Sequence, residues 1–101
     1  MKNPRVTFGI INCNRLFYLK SCVESLVETT KDYDNKEIFI VDNASVENGT
    51  EEYLNEKEAQ GIKIFRNSKR DPSNEFAKAL NLITRESTGE YIAHIQGDMQ
   101  F

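Results

Sequence analysis

No run in these 101 residues approaches the ~20 apolar positions that a membrane-spanning helix needs. Basic excess is also missing: 13 Lys and Arg face 16 Asp and Glu, for a net charge of −3 and a pI near 5.2. That balance argues against a nucleic-acid module, which would show a basic face. An anionic ligand would need local help from backbone N–H groups, a few cations or a metal. Cysteine is scarce, and Cys13 and Cys22 stand at neither a metal-type nor a redox-type spacing. They read as reduced, partly buried thiols of a cytosolic protein. The N-terminus carries one Lys and a short apolar stretch broken by Asn12 and Asn14, which is not a signal peptide. No glycine lies between Asn12 and Leu16, so a Gly-rich triphosphate loop after the first strand is excluded. The acidic pair of a receiver-type signalling domain is missing there too. The single histidine, His94, falls within an apolar strand and reads as structural. Repeats and low-complexity segments are absent.

What is present is the composition of one small globular domain, 39% hydrophobic and 29% charged. Ile38 to Val41 is a continuous apolar run that ends abruptly at Asp42. A run without alternation suits a strand buried on both faces, as in a parallel sheet covered by helices. Val6–Ile11 reads as an earlier strand of the same kind, Ile62–Phe65 as a weaker one, and Tyr91–Ile95 as a fourth. Between them the spacing predicts helices over Leu16–Thr29, Thr50–Ala59 and about Asn74–Glu86. The first buries Leu16, Leu19, Val23, Leu26 and Val27; the last buries Phe76, Ala77, Leu80 and Ile83. Gly61 is the expected stop of the second helix and Gly89 of the third, with Ser73 as the third helix's N-cap.

Alternation of strand and helix predicts a parallel sheet with right-handed crossovers. The residues after three strands, Asn12 to Asn14, Asp42 to Ser45 and Gln96 to Asp98, then leave the same edge and converge on one crevice. In open α/β sheets ligands bind outside that edge. An Asp at such a strand end can accept hydrogen bonds from a base N–H or a ribose hydroxyl, or can simply cap the turn; position alone weights the two equally. Arg66, Lys69 and Arg70 form a basic loop beside the crevice, for which solvation is the default role and phosphate contact the minority one.

Four segments, in order, resemble the N-terminal half of the family 2 glycosyltransferases. Val6 to Arg15 (Val-Thr-Phe-Gly-Ile-Ile-Asn-Cys-Asn-Arg) is similar to the opening strand. Ile40 to Ser45 (Ile-Val-Asp-Asn-Ala-Ser) resembles the nucleotide-binding strand end, and Phe76 to Asn81 the Ala-x-Asn helix. Gly89 to Asp98 (Gly-Glu-Tyr-Ile-Ala-His-Ile-Gln-Gly-Asp) is similar to the segment that ends in Asp-x-Asp. The resemblance implies an α/β, Rossmann-like parallel sheet of about four strands with helices on both faces, the N-terminal part of a GT-A fold. It implies a nucleotide-sugar-binding domain over residues 1–101 and a nucleoside-diphosphate sugar as donor. The acceptor, a glycan, lipid or protein, is unspecified. Asp42 would meet the base, Asn12, Asn14, Asn43, Ser45 and Gln96 would line the nucleotide pocket, and Asp98 would hold a divalent cation, Mn²⁺ or Mg²⁺.

Three departures bear on this. Gln96 stands in place of the first acid of Asp-x-Asp, Glu75 in place of a Gly near the third helix's start, and the turn Ser45–Thr50 has one extra residue. No residue is suited to be the catalytic base, which is expected beyond Phe101 in an acceptor-binding half; the expectation is a truncated, cytoplasmic glycosyltransferase, inactive as this fragment alone. A non-catalytic nucleotide-binding module is the alternative.

Overall fold

The computed structural model describes residues 4–96. Seven elements alternate along it: β1 (Val6–Asn12), α1 (Leu16–Thr29), β2 (Lys36–Asn43), α2 (Thr50–Ala59), β3 (Lys63–Asn67), α3 (Glu75–Glu86) and β4 (Tyr91–Gln96). The strands make one sheet in the order β3-β2-β1-β4, and every neighbouring pair is parallel. The expected α/β architecture is therefore what the chain adopts.

The unbroken apolar run in β2 has a direct cause. Ile38 and Ile40 face one core with Ile10, Leu19, Val23 and Leu26, and with Leu54 of α2. Phe39 and Val41 face the opposite side, against Ala79 and Ile83 of α3. Successive side chains of a strand point to opposite faces, so a central strand between two helical layers must be apolar at every position. Each such side chain contributes about 1.5–3 kcal/mol on burial.

Several boundaries differ from the sequence reading. β2 begins at Lys36 and, beyond Asp42 at its expected carboxyl end, takes in Asn43 as well, which the sequence reading put in the turn. The N-cap of α3 is Asn74, not Ser73. The inward face of α3 is Ala79, Leu82 and Ile83, while Phe76 is 48% exposed and Ala77 is exposed as well. Phe76, near the N-terminus of the helix, borders the crevice at the carboxyl ends of β1 and β4. On α1, Cys22 joins the buried stripe and Val27 leaves it. Gly61 does end α2: its N–H donates to the Glu58 carbonyl, the Ile62 N–H donates to that of Lys57, and φ is +100°. That is a Schellman closure, which favours glycine. Gly89 does not end α3, which stops at Glu86 with Ser87 as cap.

At the sheet's amino edge the loop into β4 is fastened by one carboxylate. Glu37 Oε2 accepts from Thr7 Oγ1 at 2.6 Å, Thr88 N at 2.6 Å and Thr88 Oγ1 at 2.9 Å, and Arg5 lies 3.6 Å from its Oε1. Burial works against its charge, but the Thr7 and Thr88 donors and Arg5 together hold the carboxyl below the ordinary glutamate range. A lowered folded-state pKa means stability that is present above the unfolded value and is lost as pH falls through the folded one. Glu37→Gln is therefore expected to remove part of the acid sensitivity of unfolding below about pH 4.3. It should cost about 2 kcal/mol at neutral pH, since bonds to a charged acceptor are replaced by weaker ones. Denaturant melts of both proteins across pH 3 to 7 check this, parallel pH profiles being the contrary result.

Candidate functional site

Sheet topology places the site. The chain moves from β1 outward to β2 and β3, then returns through α3 to β4 on the other side of β1. The carboxyl ends of β1 and β4 thus flank a switch point, where connections depart in opposite directions and leave a gap. Register puts Asn12 level with Asp42 and Ile11 level with Gln96, so Asn12, Asp42 and Gln96 end on one rim. A crevice of about 230 Å³ opens there, lined by Ile11, Asn12, Cys13, Arg15, Asn43, Glu75, Phe76 and Gln96.

Asp42 lies just behind this crevice, 5% exposed. Its Oδ1 accepts from Asn12 Nδ2 at 3.0 Å and Ser45 Oγ at 2.7 Å, and its Oδ2 accepts from Ser45 N at 3.1 Å. The carboxylate therefore does fill the turn-capping role. Two oxygens offer about four lone pairs, so three donors leave acceptor capacity over. Asn12 is 2% exposed, and its Oδ1 is buried with no partner in the described residues. An unsatisfied buried acceptor costs about 1–3 kcal/mol, which is the kind of debt a ligand donor can relieve.

Asn14 is placed differently. It sits at φ +50°, a left-handed conformation that Asn tolerates better than most residues. Its N–H donates to Ser45 Oγ at 2.8 Å, and its Oδ1 accepts from Val46 N at 2.8 Å and Glu47 N at 3.3 Å. Asn14 thus stitches the turn after β1 to the turn after β2, and it lines a depression with Phe17 and Tyr18 that shares Cys13 and Arg15 with the crevice. Asn43 Oδ1 accepts from Asn67 Nδ2 at 2.6 Å, linking β2 to β3. Of the expected residues, then, Asn12, Asn43 and Gln96 line the crevice, Asp42 and Ser45 back it, and Asn14 stands across the turn. Asp98 lies outside the described residues. His94 is exposed on β4.

One contributor, Glu47, escaped the sequence reading, and another, Glu75, was noted there only as a departure from the family pattern. Glu47 Oε1 accepts from the Leu16 N–H at 2.8 Å, so a carboxylate from the neighbouring turn caps α1, whose own N-cap Arg15 makes no side-chain cap bond. Glu75 borders the crevice and binds Arg70 Nε at 2.9 Å and Asp71 N at 3.0 Å. The Arg70 bond and the Asp71 N–H hold the Glu75 carboxyl below its ordinary range. Arg70 also reaches Cys13, whose thiol is pushed up by burial, with Arg70 opposing and Glu75 and Asp42 adding to the rise. Side chains that meet only across a turn carry no periodic signal. The basic loop is divided: Arg66 belongs to β3 and turns to α2, contacting Glu51 at 2.9 Å and Asn55 at 2.9 Å, while Lys69 lines a larger cavity of about 550 Å³ between the loop and α3.

Among the described residues no three His, Cys, Asp or Glu side chains gather as a metal set. The described rim offers two carboxylates, Asp42 and Glu75, both already hydrogen-bonded within the chain. No described helix is long and apolar enough to cross a membrane.

Residues 7–101 match the profile described as glycosyl transferase family 2. Among solved structures the chain is similar to a mannosyltransferase, PcManGT from Pyrobaculum calidifontis, in complex with GDP-Man and Mn²⁺. That likeness has a TM-score of 0.82 and 23% identity, over 100% of this chain and 29% of that one. It is also similar to S. aureus TarS 1–349 in complex with UDP, with a TM-score of 0.75 and 17% identity, over 93% of this chain and 27% of that one. The chain spans less than a third of either structure. No curated relative matches it.

Proposed function

The chain belongs to glycosyl transferase family 2, and from that premise we propose that it is the donor-binding part of an enzyme that moves a sugar from a nucleoside-diphosphate sugar to an acceptor hydroxyl. The observation that carries the reading is the rim itself: Asn12, Asn43 and Gln96 around one crevice, backed by Asp42, at the switch point of a parallel sheet. Asp42 and the unpartnered Asn12 Oδ1 are acceptors for the N–H groups of a base, and the Gln96 amide serves a ribose hydroxyl. Packing of Asp42 under Asn12 fixes the direction of both acceptors before the ligand arrives, which lowers the ordering cost of binding.

The charge of a diphosphate needs a cation, and the described rim supplies few. Asp98 is the carboxylate we assign to Mn²⁺ or Mg²⁺, which when bound stabilises charge on the departing nucleoside diphosphate. The acceptor and the base that deprotonates it belong to the rest of the enzyme. Residues 1–101 are on this view the nucleotide-sugar-binding domain.

In the full-length protein, UDP or GDP with Mn²⁺ is expected to raise the melting temperature. A ligand at about 100 times its Kd adds ~2.7 kcal/mol. Asp98→Ala should remove only the metal-dependent part of that rise. Absence of any shift with either nucleotide overturns the proposal. Gln96 in place of an acid favours a second reading, a nucleotide-binding module without catalysis. Donor hydrolysis by the full-length protein that disappears in Asp98→Ala decides for the enzyme.

A further inference from the structure

Glu75 occupies a position that no residue of the proposed donor site requires. Among the described residues it alone lines both the 230 Å³ crevice and the 550 Å³ cavity beside it. Its side chain is only 14% exposed, whereas that of its partner Arg70 is 47% exposed. Both of its hydrogen bonds, from Arg70 Nε and from the Asp71 N–H, fall on Oε1. A carboxylate therefore stands in the wall between two cavities and holds the guanidinium that also reaches Cys13, inside the crevice lining.

The electrostatic consequence follows from the site's charges. Asp42 and Glu75 are both acidic, and a nucleoside diphosphate brings further negative charge to the same space. Arg70 is a half-exposed cation, and guanidinium binds phosphate and carboxylate oxygens with the same donor geometry. An ion pair whose cation is half exposed is weak and screened by solvent, so an incoming anion can break it.

We propose that Glu75 is a displaceable occupant of the donor crevice, holding Arg70 in the ligand-free protein and yielding it to an anionic ligand, so that Glu75 sets how strongly the site discriminates a nucleoside diphosphate from a neutral nucleoside. This rests on the donor-binding reading above and assigns to that site a specificity-determining residue. Glutamine in place of Glu75 keeps a carbonyl oxygen for the Asp71 N–H but no longer competes as an anion.

The test is calorimetric titration of the full-length protein with UDP, GDP, uridine and guanosine, in EDTA so that no cation contributes. Glu75→Gln is expected to bind both diphosphates about fivefold more tightly, the affinity equivalent of the lost ion pair, with nucleoside affinities unchanged. Arg70→Gln combined with Glu75→Gln should lose that gain. Equal diphosphate affinities in wild type and Glu75→Gln overturn the proposal while leaving the donor-site reading intact. Selective loss of guanine ligands in Glu75→Gln also overturns it, since Glu75 would then be reading the base. No diphosphate binding by any of the proteins, with or without Mn²⁺, overturns both.

Discussion

Asp42→Ala is expected to abolish the melting-temperature rise that a nucleoside diphosphate produces, with or without Mn²⁺, and to destabilise the ligand-free protein by about 2–3 kcal/mol. The stability loss comes from within the rim. Three donors, two from Ser45 and one from Asn12, converge on this carboxylate. Without it, Asn12 Nδ2 keeps only a 3.5 Å contact to Ser45 Oγ, and the side chain already has one unpartnered buried atom. The loss of binding has two parts: an acceptor for the base disappears, and Asn12 is no longer held in its orientation. Ser45→Ala separates them. It removes the Ser45 Oγ bond to Asp42 together with the acceptor that Oγ offers to the Asn14 N–H and Asn12 Nδ2, but leaves Asp42 and its bonds from Asn12 and the Ser45 N–H, so it should weaken the rim while retaining most of the ligand response. If Asp42→Ala lowers stability but leaves the nucleotide-induced rise intact, the carboxylate is a turn-former alone and the base must be read elsewhere.

The second large effect is steric. A Cβ at Gly9 would stand 2.6 Å from Cδ1, 2.7 Å from Cγ2 and 2.9 Å from Cγ1 of Ile83. Ile83 is fully buried on the α3 side of the sheet, so its branch carbons cannot swing into solvent. Gly9→Ala should destabilise by about 1–3 kcal/mol, the usual cost of overpacking a filled core. Gly9→Val should cost more. Ile83→Ala alone should cost about 2–5 kcal/mol through the cavity it leaves. Combined, Gly9→Ala and Ile83→Ala should cost clearly less than their sum, because the new methyl enters space that the isoleucine vacated. Denaturant midpoints of the three proteins measure this, and strict additivity would show that β1 and α3 separate instead of clashing.

These two residues mark what could be read from the chain and what could not. Continuous apolar runs in β1 and β2, helical spacing in α1 and the left-handed closure at Gly61 are local properties, because period and turn geometry are set by residues a few positions apart. They were enough to place seven elements in order and, through the parallel pairing that strand-helix alternation implies, to put the ends of β1, β2 and β4 on one rim. Family resemblance then carried the reading from a crevice to a nucleotide sugar. Gly9 shows the limit: its sequence context is an ordinary buried strand, and only the seating of Ile83 against it shows why a Cβ there meets a filled core.

The rim shows the same division. Asp42 was visible as the polar end of an apolar run, but whether its oxygens were spoken for depended on Asn12 and Ser45, one of them 30 residues away. Asn14 was grouped with the pocket by the family resemblance; its side-chain Oδ1 accepts from the turn after β2. Glu47 capping α1 and Arg70 held by Glu75 are side-chain encounters across separate turns. Secondary structure, parallel pairing and the choice of rim were thus determined by the sequence itself, because hydrophobic period and the alternation of strand with helix are set by residues near one another along the chain; the strand order β3-β2-β1-β4 came only with the tertiary structure. Which polar groups face the crevice, which are consumed in holding its turns together, and which carboxylate sits against the arginine were decided only when packing fixed the distances between turns, since hydrogen bonds and ion pairs depend on ångström-scale geometry that no spacing along the chain encodes.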